Sequence, residues 1–302
     1  MLCSNLNYII KNHFSIIKAF LLIFILSVFC ICNVSGQNLS GAKQSALCNS
    51  TVAQSNDAFG IFDNPAGTAQ LGWREFSIYY SPSPYGLKEL ATANAVYSEH
   101  TGIGNFGIGF STFGFRLFRE NKFAISYAER FFGDYFLGIT FVYQNLKIEN
   151  YGSANAFNII LGGISYLTRN LRAGFAIENL LRSTYGNSKD QIPVVLKTGL
   201  TFDVLDYASL NLALLKELGY NLSVRFGAEF LPVKFIALRF GAGNYPQVYS
   251  AGVGINYSIF QMDYAVENHS ELGLTHQFGL TLQFSGFENR TVAIKQYLFD
   301  SQ

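Results

Sequence analysis

The feature that most limits what this chain can fold into is a two-residue alternation that recurs from Trp73 to Phe284. In YNLSVRFGAEF, Leu222, Val224, Phe226, Ala228 and Phe230 are apolar, and Asn221, Ser223, Arg225, Gly227 and Glu229 fall between them. In VYSAGVGINYSI the row Tyr249, Ala251, Val253, Ile255, Tyr257 and Ile259 alternates with Ser250, Gly252, Gly254, Asn256 and Ser258. LGLTHQFGLTLQF, Leu272 to Phe284, repeats the pattern, its apolar row broken only at His276. Successive side chains of a strand point to opposite faces, so these stretches read as strands with one apolar and one polar face.

A soluble sandwich alternates too, so the residue types must say what meets the apolar face. Here that face carries bulky and aromatic side chains, while the other holds Gly, Ser, Thr and Asn with occasional charges. This is the arrangement of a wall with lipid outside and a polar interior. Charged residues make up 14% of the chain, against roughly 25% in an ordinary soluble domain.

Candidate strands fall near residues 73–81, 91–100, 104–117, 122–131, 134–147, 154–168, 170–181, 192–203, 207–216, 220–231, 234–243, 247–258, 260–268 and 272–284. The connections PSPYGLKELA, IENYGSA, LRSTYGNSKDQ, GNYPQ and ENHSE alternate with the shorter FGD, TRN, LDY and LPV, while RENK and ELG are tight connections on the longer side. Long loops at one end and short turns at the other fit an outer-membrane barrel. The expected fold is therefore all-β: a transmembrane, antiparallel, up-and-down β-barrel of about 14 strands.

The N-terminus predicts export. Lys11 and Lys18 precede the apolar run AFLLIFILSVFCI, Ala19 to Ile31, which is short for a spanning helix and suits a secretory signal. Val34 and Gly36 supply small residues at −3 and −1, so cleavage is expected before Gln37. The expected divisions are a signal peptide at 1–36, a plug segment at 37–72, the barrel at 73–284 and a periplasmic tail at 285–302, either a short strand or disordered. Of the four cysteines only Cys48 outlasts cleavage, so the mature chain has no intramolecular disulfide. Cleavage also removes Lys11 and Lys18 and leaves 19 basic against 20 acidic residues, which argues against a nucleic-acid partner.

No chemistry of catalysis or metal binding stands out. His269-Ser270 lie beside Glu267 and Glu271, but adjacency does not create a nucleophile–base geometry, and His100, His269 and His276 share no ligand spacing. No enzyme activity, cofactor or metal is expected.

Ahead of the first strand, NDAFGIFDNPAGTAQL (Asn56 to Leu71) is compact and turn-rich. Pro65 fixes its own φ, Asn64 can close an Asx turn and Gly67 tolerates conformations closed to other residues, so Asn64-Pro65-Ala66-Gly67 makes a chain reversal. Small helices and tight turns satisfy their own backbone groups with little bulk, as a segment inside a lumen must.

With Gly41-Ala42-Lys43-Gln44-Ser45-Ala46 as an opening small-residue helix, and Asp57 spaced from the NPAG turn as D-x-x-x-x-x-x-NPAG, the chain resembles the FadL-like superfamily of outer-membrane barrels. Within it, the resemblance is to PorV/PorQ-type proteins of bacteria related to Bacteroidetes, with LGLTHQFGLTLQF similar to their closing strand. It implies that the N-terminal segment plugs the barrel, with Asp57, Asn64, Pro65, Ala66 and Gly67 forming the plug turn. Two functions follow from it. One is uptake of small hydrophobic molecules through a gated barrel in the bacterial outer membrane. The other is a component or shuttle of a type IX secretion system. The expected partners are outer-membrane lipid, the barrel-assembly machinery, and either a small hydrophobic ligand or secretion-system components. The long outer loops of the transporters and secretion-associated members are missing here, the longest outer connection reading as about a dozen residues.

Two sets of wall residues are candidates for function. Arg172, Glu178, Lys197, Asp203, Arg225, Glu229, Arg239, Asp263 and Glu267 fall on the inner face, where they could clamp the plug or select a permeant. Gly107 and Gly109, in GIGNFGIGFSTFGF, could mark a bulge forming a lateral opening, or a plain lumen-facing strand.

Overall fold

The computed structural model describes residues 41–186, 192–284 and 289–300. The expected signal peptide, residues 37–40 of the plug and residues 285–288 of the tail lie outside the described residues.

Fourteen antiparallel strands form a closed barrel: β1 (Glu75–Ser81), β2 (Thr92–Thr101), β3 (Gly104–Gly114), β4 (Phe118–Phe131), β5 (Tyr135–Ile148), β6 (Gly152–Thr168), β7 (Leu171–Glu178), β8 (Val195–Leu205), β9 (Ala208–Glu217), β10 (Ser223–Val233), β11 (Ile236–Gly243), β12 (Val248–Tyr257), β13 (Phe260–His269) and β14 (Gly273–Gln283). Each pairs with its neighbours in sequence, and β1 closes the ring against β14 from Glu75↔Gln283 to Tyr80↔Phe278. Closure leaves no unpaired edge, the condition for spanning hydrocarbon with strands.

The alternation sorts the faces as the residue types demand. On β1, Glu75, Ser77, Tyr79 and Ser81 are buried, while Phe76, Ile78 and Tyr80 are exposed. Inward polar and outward apolar is the reverse of a soluble barrel. One end of the barrel carries the connections 82–91, 115–117, 149–151, 179–194, 218–222, 244–247 and 270–272; the other carries the tight turns 102–103, 132–134, 169–170, 206–207, 234–235 and 258–259. These are the loop end and the turn end.

Two connections differ from expectation. RENK is not a turn but the start of β4: Gly114, at φ +96°, turns the chain, Phe115 N–H donates to Phe118 O at 2.8 Å, and Arg119 already pairs with both Gly114 and Lys147. The strands β4 to β6 thus run past the apolar band marked by Phe123, Phe141 and Phe157, and their outward faces there turn polar, with Arg119 directly opposite Lys147. In contrast β7 stops at Glu178, so the connection to Val195 is longer than the dozen residues expected, and its residues 179–186 fold beside the loop-end half of β6. Leu180 N–H donates to Ile159 O at 3.1 Å, and Gly186 N–H to Asn155 O at 3.2 Å.

The described residues of the C-terminal segment, 289–300, are helical rather than a strand. Residues Arg290–Lys295 form a helix, with a π-helical turn continuing it through Gln296–Asp300. Arg290, Ile294 and Leu298 recur every fourth residue and so share one face. That face enters the turn end of the barrel, Ile294 and Leu298 packing with Ala66, Ala69, Leu71 and Trp73. Arg290 reaches Glu75 at 2.7 Å and donates to Asn56 O at 2.9 Å. Burial opposes its charge, but the carboxylates of Glu75 and Asp57 outweigh that and hold the guanidinium pKa above its ordinary value. Lys295 adds ion pairs to Asp206 at 3.2 Å and Asp203 at 3.5 Å, and Arg169 meets Asp300 at 3.0 Å.

Candidate functional site

The lumen is occupied. Residues 41–71 run through it as a short α1 helix (Ala42–Ala46) and two 3-10 turns, Ala58–Ile61 and Pro65–Gln70, with nearly every residue buried. Asp57 caps the first turn, accepting from Phe59 N–H at 3.1 Å, and also accepts from Gln44 Nε2 at 2.8 Å. Asn64 caps the second by accepting from Ala66 N–H at 3.2 Å, while its amide nitrogen donates to Val52 O at 2.7 Å and to Gly163 O of the wall at 3.3 Å. Gly67 owes its place to close approach: a Cβ there would lie 1.9 Å from Ser55 O.

Turns leave many carbonyl groups unpaired, and a buried carbonyl needs a donor. The wall supplies them. Asn105 Nδ2 donates to Thr68 O at 2.7 Å and Leu71 O at 2.9 Å, Thr140 Oγ1 to Ile61 O at 2.9 Å, and Ser250 Oγ to Ala46 O at 2.9 Å. Tyr166 OH donates to Gln70 Oε1 at 2.7 Å. Asn105, Thr140 and Ser250 do not stand out in the sequence, because an inward Asn, Ser or Thr is what the alternation places there anyway.

The inward charges sort into groups. Arg172 pairs with Asp203 at 3.1 Å and donates to Gln70 of the plug at 3.3 Å. Arg239 bridges Glu229 at 2.5 Å and Asp263 at 2.6 Å. Lys197 joins Asp63 of the plug at 2.8 Å and also contacts Glu178. Arg225 donates to Cys48 O at 3.3 Å and to Ser223 Oγ at 3.2 Å. Glu267 is inward on β13 and half-buried, apart from these pairs.

Gly107 and Gly109 mark no bulge and sit in a plain lumen-facing strand. Strand β3 is in unbroken register with β2 from Thr101↔Gly104 to Thr92↔Phe113, and with β4 from Asn105↔Ala128 to Gly114↔Arg119. Instead the plug presses on them: a Cβ on Gly107 would meet Ile61 at 2.7 Å, and one on Gly109 would meet Phe62 at 2.8 Å. The same holds at Gly138, against Ala66 N, and at Gly162, where a Cβ would lie 2.0 Å from Asn64 Oδ1. These positions are glycine because the plug lies directly on the strand.

Above the plug, at the loop end, a cavity of about 310 Å³ remains. Phe62 of the plug, Phe113, Val142, Ile160, Leu215 and Tyr245 give it an apolar lining. Its polar lining is mostly engaged: Lys122 pairs with Glu120 at 2.8 Å, and Tyr185 OH donates to Gln144 Oε1 at 2.8 Å. Burial, with Glu120 nearby, pushes the Tyr185 phenol above its ordinary pKa, so it remains a donor. The Oδ1 of Asn158, also in the lining, is buried without a hydrogen-bond partner.

No protein-family model and no curated protein matches the sequence. Solved structures do match in three dimensions. The CymD monoaromatic hydrocarbon channel superposes with a TM-score of 0.62 at 12% identity, over 82% of this chain and 98% of that one. A Pseudomonas aeruginosa FadL homologue gives 0.58 at 12% identity, over 81% and 98%. The Pseudomonas putida toluene transporter TodX gives 0.56 at 10% identity, over 84% and 98%. The chain has the FadL-type barrel fold. At such identities the likeness is one of architecture, and the chemistry must be argued from the residues themselves.

Proposed function

We propose that the protein is an outer-membrane channel for small, mainly hydrophobic molecules, held shut by its plug and with its loop-end cavity as the entry site. The cavity carries this reading: it has room for a small ligand, presents the apolar side chains of Phe113, Val142, Ile160 and Leu215 beside its polar groups, and is floored by Phe62 of the plug. The lipid-facing exterior supports the membrane location, and the loop end then faces outward with the turn end in the periplasm. The barrel would contact outer-membrane lipid and depend on the barrel-assembly machinery. Labelled toluene taken up by intact bacteria tests the reading. Cells producing the protein should accumulate it faster than cells producing Leu215→Trp, whose indole would fill the cavity; equal rates would reject the proposal.

The many bonds holding the plug favour a second reading, in which a permanently closed barrel serves as a component of a type IX secretion apparatus. Recovery of secretion components with the tagged barrel, combined with no toluene uptake, would select it.

A further inference from the structure

Asn158 lies on β6, inward, directly opposite Val142 of β5 and two residues from Ile160. Its residue exposure is 7%, its Oδ1 is buried, and its amide forms no hydrogen bond with the described residues. Leaving a buried polar group unpaired is costly, so each such group asks for an explanation. Two observations place the explanation in the cavity. Asn158 is part of the cavity lining, where Val142 and Ile160 offer it neither donor nor acceptor and the Oε1 of Gln144 already accepts from Tyr185 OH. On its other side β7 ends at Glu178 and pairs with β6 only from Leu161 onward, and the connection that takes its place spends its donors on the β6 backbone, Leu180 N–H on Ile159 O and Ser183 Oγ on Phe157 O.

We propose that the cavity binds hydroxylated small aromatics, phenols as a class, rather than plain hydrocarbons, with the ligand hydroxyl hydrogen-bonded to the Asn158 amide and the ring against Val142, Ile160 and Phe62. A hydroxyl both donates and accepts, so it satisfies the amide whichever way its oxygen and nitrogen are turned. A cavity of about 310 Å³ has room for one such ring and its substituents. A site built around a buried polar group discriminates against the ligand lacking the matching group, because the protein's own amide is then left unpaired. The inference rests on the channel reading above and names the ligand class of that same cavity.

The test compares 4-fluorophenol with 4-fluorotoluene, two rings of nearly equal size, by ¹⁹F NMR titration of the purified full-length barrel in detergent. The cavity-filled Leu215→Trp variant is subtracted as background for partition into micelles. The wild-type protein should bind the phenol about tenfold more tightly, and Asn158→Leu, similar in volume, should abolish or reverse the preference. Equal affinities in the wild-type protein, unchanged in Asn158→Leu, would mean that a resident water satisfies the amide. That result would overturn the phenol proposal while leaving the channel reading standing. If neither ligand binds above background, the channel reading itself fails and the phenol proposal falls with it. Should Asn158→Leu not assemble, the wild-type preference alone decides between the first two results.

Discussion

Lys197 of β8 and Asp63 of the plug meet at 2.8 Å, each side chain less than a tenth exposed. The pair fastens a segment at the start of the described chain to a strand far along it, and Glu178 holds the same ammonium from the wall. Removing the cation from a buried group of this kind costs about 3–5 kcal/mol, because two carboxylates are left without it. Lys197→Met should therefore loosen the plug, and maleimide labelling of Cys48 should speed up. The triple variant Lys197→Met, Asp63→Asn, Glu178→Gln leaves no stranded charge and should restore much of the protection.

Cys48 makes a suitable reporter because burial pushes its thiol from near 9 up to about 11. A raised value means the folded protein holds the proton after the unfolded chain has lost it. The stability tied to the neutral thiol is thus fully present below pH 9 and lost as pH rises through 11. Thermal unfolding of the wild-type protein should show this alkaline loss, and Cys48→Ser should show less of it. An identical pH profile for the two would mean that the thiol does not titrate with folding.

Wall glycines under the plug should tolerate no side chain. Gly162→Ala brings a methyl to 2.0 Å from Asn64 Oδ1, and Gly138→Ala to 2.4 Å from Ala66 N. Ala66 N is backbone, and the Asn64 amide is pinned by its bonds to Ala66 N–H, Val52 O and Gly163 O, so each should cost about 1–3 kcal/mol and displace the plug, again raising Cys48 labelling. Gly102→Ala is the control, since a Cβ there meets nothing within 4 Å.

Much of this architecture is legible from alternation alone, because an apolar outside and a polar inside impose one residue class on each face of every strand. The closing strand, read as 272–284, spans Gly273–Gln283. Where the physics differs from that rule, the sequence is silent. Arg119 to Lys122 looks like a turn because charges end the apolar row, yet the strands simply continue beyond the apolar band. Arg290, Ile294 and Leu298 define a helical face too short to announce itself by periodicity. Gly162 reads as backbone freedom, and only the folded chain shows Asn64 lying against it. Asn158 is indistinguishable from any other inward Asn until its missing partner is seen.

The last prediction concerns the two obstructions between the cavity and the turn end. The plug fills the lumen, and the C-terminal helix sits beneath it, tied to wall and plug by Arg290 and packed on Leu71 and Ala69 through Ile294 and Leu298. Since these lie in series, removing the lower one cannot open a path while the upper one stays. Deleting residues 289–302 should leave planar-bilayer conductance near the closed level, although it strands Glu75, a fully buried carboxylate, and so should lower the unfolding temperature. Adding Glu75→Gln to that deletion should recover part of the lost stability without changing conductance. Deleting 41–71 removes the main obstruction and takes Ala66, Ala69 and Leu71 from Ile294 and Leu298, which keep Trp73 and the wall side chains, so the helix should loosen without detaching and conductance should rise in this single step. If the plug deletion stays closed until residues 289–302 are also removed, the helix is an independent gate. If the C-terminal deletion alone conducts, the plug does not seal the barrel.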